Sequence, residues 1–180
     1  DTMYNHFENV TAISNDVMEI FSIRSNDSNI YFIKPKEEHN FSAEQLQDLI
    51  NTFKESKERY EVNFYLPKID IKSQVDFMNL FPKIGLGKLL NEFKIEKLLP
   101  DMNVKVCKAK QTSTLKINEK GAKAKAVTKI DVKETSMPVE NKNIDIKIDR
   151  PFYIIIEDHD ENSKADLITF TAYIVDPSKK

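Results

Sequence analysis

Asn118-Glu-Lys-Gly-Ala-Lys-Ala-Lys-Ala-Val-Thr-Lys-Ile-Asp-Val-Lys133 decides how this 180-residue chain is read. Counted from Gly121, the residues Ala122, Ala124, Ala126, Thr128, Ile130 and Val132 fall on one parity. Lys123, Lys125, Val127, Lys129, Asp131 and Lys133 fall on the other. Side chains of an extended chain alternate between two faces. One face here is therefore small or β-branched, and the other carries charge at five of six positions. An ordinary amphipathic edge strand shows the same alternation. Three features favour instead a segment able to enter an existing sheet. Its inward groups near Gly121 are small, so little packed volume has to move. Gly121 supplies the backbone freedom of a hinge. Polar residues then run from Asp131 to Asn143 before the next apolar strand. Burying Ile130 and Val132 would contribute roughly 1.5–3 kcal/mol each.

Upstream, the pattern alternates between strands and short helices. Val17-Met-Glu-Ile-Phe-Ser-Ile23 and Ile30-Tyr-Phe-Ile33 read as a hairpin around the turn-forming Ser25-Asn-Asp-Ser-Asn29. Ser42-Ala-Glu-Gln45 has capping-box spacing, and Leu46, Leu49, Ile50 and Phe53 follow on one helical face to about Lys57. Val62, Phe64 and Leu66 alternate with polar neighbours until Pro67, where a bend is expected before Ile69 and Ile71. A second helix is expected from Ser73, as cap, to Phe81, with Pro82 just past its end. Ile84-Gly-Leu-Gly87 is a turn, residues 88–101 are short-helical, and the chain is extended from Val104 through Cys107 and Leu115 to Ile117. Downstream, Pro151-Phe-Tyr-Ile-Ile-Ile156 and Leu167 to Val175 are apolar on both faces and read as fully buried strands. The class is α+β, without an internal repeat.

Composition removes several functions. Twenty-seven basic against 29 acidic residues leave a net charge of −2, so no global field draws nucleic acid or anionic membrane. No apolar run reaches the roughly 20 residues needed to span a bilayer. Asp1-Thr-Met-Tyr-Asn5 is polar and does not read as a signal peptide. The single cysteine, Cys107, forms no disulfide within the chain and reads as a small buried or half-buried residue. His6, His39 and His159 lack metal-ligand spacing. Glu37-Glu38 and Glu157-Asp-His-Asp-Glu161 read as solvated loops. Asn9-Val-Thr, Asn26-Asp-Ser and Asn40-Phe-Ser are glycan acceptor patterns of the kind an Asn-rich chain produces by chance. No catalytic set and no cofactor are expected.

The quoted stretch resembles the hinge of the serpins, whose pattern is Asn-Glu-x-Gly, a small residue, then an Ala-rich run ending in Thr. Leu66-Pro-Lys-Ile-Asp-Ile-Lys-Ser73 is similar to that family's Leu-Pro-Lys-Phe-x-Ile-x-Ser strand. Asp149-Arg-Pro-Phe152 resembles the Pro-Phe that opens a buried strand after the reactive loop, and Ile168 to Pro177 the terminal strand. The order and spacing of the four motifs extend along nearly the whole chain.

The resemblance implies a partial serpin fold, with mixed and antiparallel sheets, a few helices and a long reactive loop at about 119–143. Residues 1–180 would then be the C-terminal portion of one domain, with the N-terminal half of the same serpin as a partner. It implies an inhibitor, not an enzyme. A serine protease cleaves the loop, forms an acyl-enzyme and is dragged away as the loop inserts into the large sheet. The implied hinge residues are Glu119, Gly121, Ala122, Ala124, Ala126 and Thr128. Family spacing places the scissile bond between Thr135 and Ser136. Lys133 would suit a trypsin-like protease, whereas Met137 would suit a chymotrypsin-like one but is blocked by Pro138; an elastase-like target stays open. Ala122 replaces the usual Thr or Ser, Lys125 interrupts the Ala run, Gln111 stands where many members carry His, and Ala172 replaces a Gly. These departures bear on the speed of insertion. A secreted protein is implied, without a nucleic-acid or membrane partner. The alternative is a serpin-fold carrier or chaperone that inhibits nothing.

Overall fold

The computed structural model describes residues 2–25, 28–91, 107–118, 142–160 and 165–176. In chain order the elements are β1 (Thr2–Val10), β2 (Ala12–Ser14), β3 (Met18–Ser25), β4 (Ser28–Pro35), α1 (Ala43–Glu55), β5 (Tyr60–Pro67) and β6 (Ile69–Asp76). They continue as α2 (Phe77–Lys83), α3 (Lys88–Asn91), β7 (Lys110–Ile117), β8 (Lys142–Lys147), β9 (Phe152–Asp160) and β10 (Ala165–Ile174). Two compact units result, one from residues 1–69 and 117–179, the other from residues 70–116.

The larger unit is layered. Strands in the order β10-β9-β4-β3-β2 form a five-stranded sheet, and β1-β5-β8 form a three-stranded one. Hairpin β3–β4 pairs Met18 with Pro35 through to Ser25 with Ser28, as the sequence predicts. Because β3 and β4 are apolar on both faces, the sheet is covered on both. On one face Ile20, Tyr31, Ile33, Tyr153 and Ile155 bury against Leu46, Ile50 and Phe53 of α1. On the other, Phe64 of β5 stacks on Phe21 at 4.8 Å and Phe32 at 5.1 Å between ring centroids. The expected capping box fixes where α1 begins. Ser42 Oγ accepts from the Gln45 amide at 3.2 Å, and Gln45 Oε1 accepts from the Ser42 amide at 2.8 Å.

In the smaller unit, β6 and β7 form a two-stranded sheet. Here the expected second helix is corrected. Strand β6 continues through Ser73 to Asp76, because pairing with β7 occupies backbone that a helix would need. The cap is Asp76, whose Oδ1 accepts from the Met78 amide at 3.0 Å. Pro82 lies inside the last turn of α2, not beyond it. The helix closes on Gly85 at φ 80, with Gly85 N donating to Pro82 O and Leu86 N to Phe81 O. Glycine tolerates that left-handed conformation, and the two bonds satisfy otherwise orphaned carbonyls.

Four more expectations need correction or completion. Among the described residues β10 lies at the edge of its sheet and is largely exposed, so it is not a fully buried strand. Glu157 belongs to β9 and is only 2% exposed, so it is no part of a solvated loop. Cys107 is exposed. Strands β1 and β8 carry no strong apolar run, and the sequence reading did not identify either of them. β1 includes a bulge between Phe7 and Val10, with Asn9 at φ 53.

Candidate functional site: the segment between β7 and β8

All of the predicted hinge and scissile-bond residues lie outside the described residues. That covers Glu119, Gly121, Ala122, Ala124, Ala126 and Thr128 at the hinge, and Lys133, Thr135 and Ser136 at the bond. What the fold defines is the pair of strands that hold their two ends. β7 ends at Ile117 in the two-stranded sheet, and β8 starts at Lys142 in the three-stranded one.

The N-terminal anchor is weakly held. Along β7 only Leu115 is buried, and Gln111 is exposed. Its surface ties to β6 are ion pairs, Lys116 to Asp70 at 3.0 Å and Lys110 to Asp76 at 3.9 Å. Pairs so exposed contribute little, on the order of 0–1 kcal/mol. Among the described residues β7 has one neighbouring strand, so its other edge carries backbone groups without a ladder.

The C-terminal anchor is built differently. β8 lies parallel to β5 in register from Tyr60↔Lys142 to Tyr65↔Lys147. Ile146 and Ile148 are buried, and the Ile148 amide donates to Tyr65 O at 2.9 Å. Beyond them, Lys34 of β4 reaches under the strand end with its side chain only 6% exposed. Its ammonium lies 2.6 Å from Glu19, donates to the Lys147 carbonyl at 2.5 Å and stands 3.6 Å from Asp149. Partial burial pushes the Asp149 carboxyl up, but Lys34 and then Arg150 outweigh it and hold it below the ordinary carboxylate range. Arg150 also donates to the Lys36 carbonyl at 2.8 Å.

The other resembling motifs fall at strand junctions. Leu66 and Ile69, either side of Pro67, are both buried where the chain passes from β5 to β6. Phe152 opens β9 with no exposure. Ala172 of β10 pairs with Ile154, so the methyl group in place of a Gly is accommodated.

Sequence reasoning missed two charged residues that organise the larger unit, Lys34 and Glu157. Glu157 accepts from Tyr31 Oη at 2.9 Å and from Lys54 Nζ at 2.7 Å. Lys54 also donates to Asp166 at 2.7 Å, and His159 Nδ1 lies 2.9 Å from the other oxygen of Asp166. Burial, then the neighbouring Glu157, pushes the Tyr31 phenol well above its ordinary range. The only signal for Lys34 was its place at the end of the apolar run Ile30-Tyr-Phe-Ile33. Among the described residues no group of three His, Cys, Asp or Glu could hold a metal ion, and no helix is long and apolar enough to cross a membrane.

Comparison with known proteins gives a consistent assignment. Residues 13–177 match the family model for serpin (serine protease inhibitor). Alpha-1-antiproteinase 2 of Equus caballus is 32% identical over 120 residues, covering 66% of this chain and 26% of that protein. Corticosteroid-binding globulin of Pongo abelii is 25% identical over 152 residues, covering 83% of this chain and 35% of that protein. Human glycosylated kallistatin superposes with a TM-score of 0.73 at 16% identity, over 99% of this chain and 47% of that structure. The chain thus spans well under half the length of these curated relatives and about half of the solved structure. The family match over residues 13–177 makes this chain a member of the serpins, the serine protease inhibitor family.

Proposed function

We propose that the protein is a suicide-substrate inhibitor of a serine protease, and that this chain is the C-terminal portion of its single domain. One observation carries the reading. The chain leaves β7 in one sheet, returns as β8 in another, and between them presents small groups on one parity and charges on the other. Such a segment can serve as bait while tethered at both ends. Once cut, its N-terminal part is free to pair beside β7, whose ladder is incomplete among the described residues. Backbone pairing and burial of Thr128, Ile130 and Val132 then favour the inserted state. The hinge comprises Glu119, Gly121, Ala122, Ala124, Ala126 and Thr128, and the bond cut is that between Thr135 and Ser136, with Lys133 the next candidate. The N-terminal half of the same serpin completes the accepting sheet, and the protease is encountered outside the cell.

The test mixes the full-length protein with trypsin-, chymotrypsin- and elastase-like enzymes. An adduct that survives denaturing gel electrophoresis is expected. Mass spectrometry of the released C-terminal peptide is expected to begin at Ser136. Clean cleavage with no adduct, and no gain in heat resistance on cleavage, would reject inhibition. That result would favour the second reading, a non-inhibitory carrier, which the similarity to a corticosteroid-binding globulin supports.

A further inference from the structure

Of the three glycan acceptor patterns, Asn26-Asp-Ser28 lies partly outside the described residues, whereas Asn9-Val-Thr11 and Asn40-Phe-Ser42 lie within them. Asn9 stands apart in how the backbone presents it. Met3 and Phe7 of β1 point inward, Met3 buried and Phe7 packed on Phe21 with ring centroids 5.0 Å apart. Strict alternation would turn Asn9, on the same parity, toward that core as well. The bulge prevents it. Phe7 pairs with Val62 and Val10 with Tyr60, three steps along β1 against two along β5. The extra residue hands the inward parity to Val10, opposite buried Tyr60, and leaves Asn9 exposed. Asn9 has φ 53, and among the described residues no other non-glycine residue has a positive φ. Asparagine tolerates that left-handed conformation better than most residues with a side chain. Conformation thus accounts for an Asn at the bulge, but not for a Thr two positions on.

We propose that Asn9 carries an N-linked glycan, and that the β1 bulge is what lets the folded protein keep it. This rests on the secretory passage that the reading under Proposed function implies. The donor is an oligosaccharide on a polyprenyl pyrophosphate. Transfer forms a bond from Asn9 Nδ2 to C1 of the first sugar and breaks the bond from that carbon to the pyrophosphate. The lipid pyrophosphate leaves, and one amide proton goes to base. Thr11 supplies the hydroxyl that completes the acceptor pattern. In the folded chain that hydroxyl accepts from Arg59 Nη1 at 2.8 Å, immediately before β5. Transfer therefore precedes the pairing of β1 with β5. Folding then carries the sugar outward, since Glu8 and Asn9 are both exposed. An inward Asn9 would drive a hydrated sugar against Phe21, which buries polar groups without partners.

The test secretes the full-length protein from cultured eukaryotic cells behind a cleavable leader. Release by peptide N-glycosidase in heavy-oxygen water converts an occupied Asn9 to a labelled Asp, read by mass spectrometry of its peptide. Most copies are expected to carry the label at position 9. Thr11→Ala breaks the acceptor pattern but keeps Asn9 in the bulge, and the intact protein should lose the mass of one glycan. Asn9→Gly should show the same loss with a residue that suits φ 53. If Thr11→Ala does not fold, Asn9→Gly alone decides by that mass. Secreted protein bare at Asn9 would overturn the proposal, as would a glycan at Asn40 with none at Asn9. Adduct formation with a protease is measured apart from occupancy. An occupied Asn9 without an adduct supports the glycan site and rejects inhibition, and a bare Asn9 with an adduct does the reverse.

Discussion

Strands β9 and β10 lie side by side, pair over most of their length and are both rich in Ile, Tyr and Phe. Among the described residues β9 has β4 on its other side, whereas β10 has β9 alone. Phe152, Ile154 and Ile155 of β9 are fully buried, while Leu167 of β10 is 63% exposed. The same contrast holds for charge. Glu157 on β9 is enclosed by Tyr31 and Lys54, and Asp166 on β10 meets the same Lys54 from the exposed side. Position in the strand order, more than the apolar content of a segment, decides what it buries.

The largest test of that contrast is a pair of truncations in this 180-residue chain. Ile154→Ala should cost roughly 2–5 kcal/mol in urea unfolding, from lost burial and the cavity left behind. Leu167→Ala should stay within about 0.5 kcal/mol. Similar losses at both positions would mean that β10 is covered after all. Charge should follow the same order with a smaller amplitude. Glu157→Gln removes the buried negative charge and sets an amide NH2 against one of its two donors, Lys54 Nζ or the Tyr31 hydroxyl, and a loss of about 2–3 kcal/mol is expected, moderated by the partial exposure of Lys54. Glu38→Gln, in an exposed acidic pair, should be close to neutral, and thermal unfolding of the two variants compares them directly.

The smallest effect concerns pH. Hydrogen bonds from Lys54, then from His159, hold the Asp166 carboxyl below the ordinary carboxylate range. A carboxylate depressed in the native state stabilises it above the unfolded value, and that contribution is lost as pH falls through the native one. Wild type should therefore exceed Asp166→Asn in stability near neutrality and converge on it in acid. A gap that persists unchanged into acid would show that the side chain acts by shape and not by charge.

Much of this was legible in the residues, and the failures have physical causes. The hairpin β3–β4, helix α1 with its capping box, and the break at Pro67 rest on local chemistry, which tertiary context did not override. The start of α2 was misplaced because Ser73 has a cap's chemistry but a strand partner's position. β8 was missed because Ile144, Ile146 and Ile148 alternate among Asn, Asp and Lys, and a parallel partner 80 or so residues upstream leaves no local trace. Glu157 looked solvated because its acidic neighbours are, and only the approach of α1 brings Lys54 to it.

From sequence alone came the hairpin β3–β4, helix α1, strand β5, the family and the two-parity segment, since backbone periodicity and short motifs are carried by consecutive residues. Tertiary structure alone decided which strand sits at an edge, which acid is enclosed, and that one buried ammonium joins β3, β4 and the end of β8. Those outcomes depend on residues more than a hundred positions apart meeting in space, and no local pattern records such a meeting.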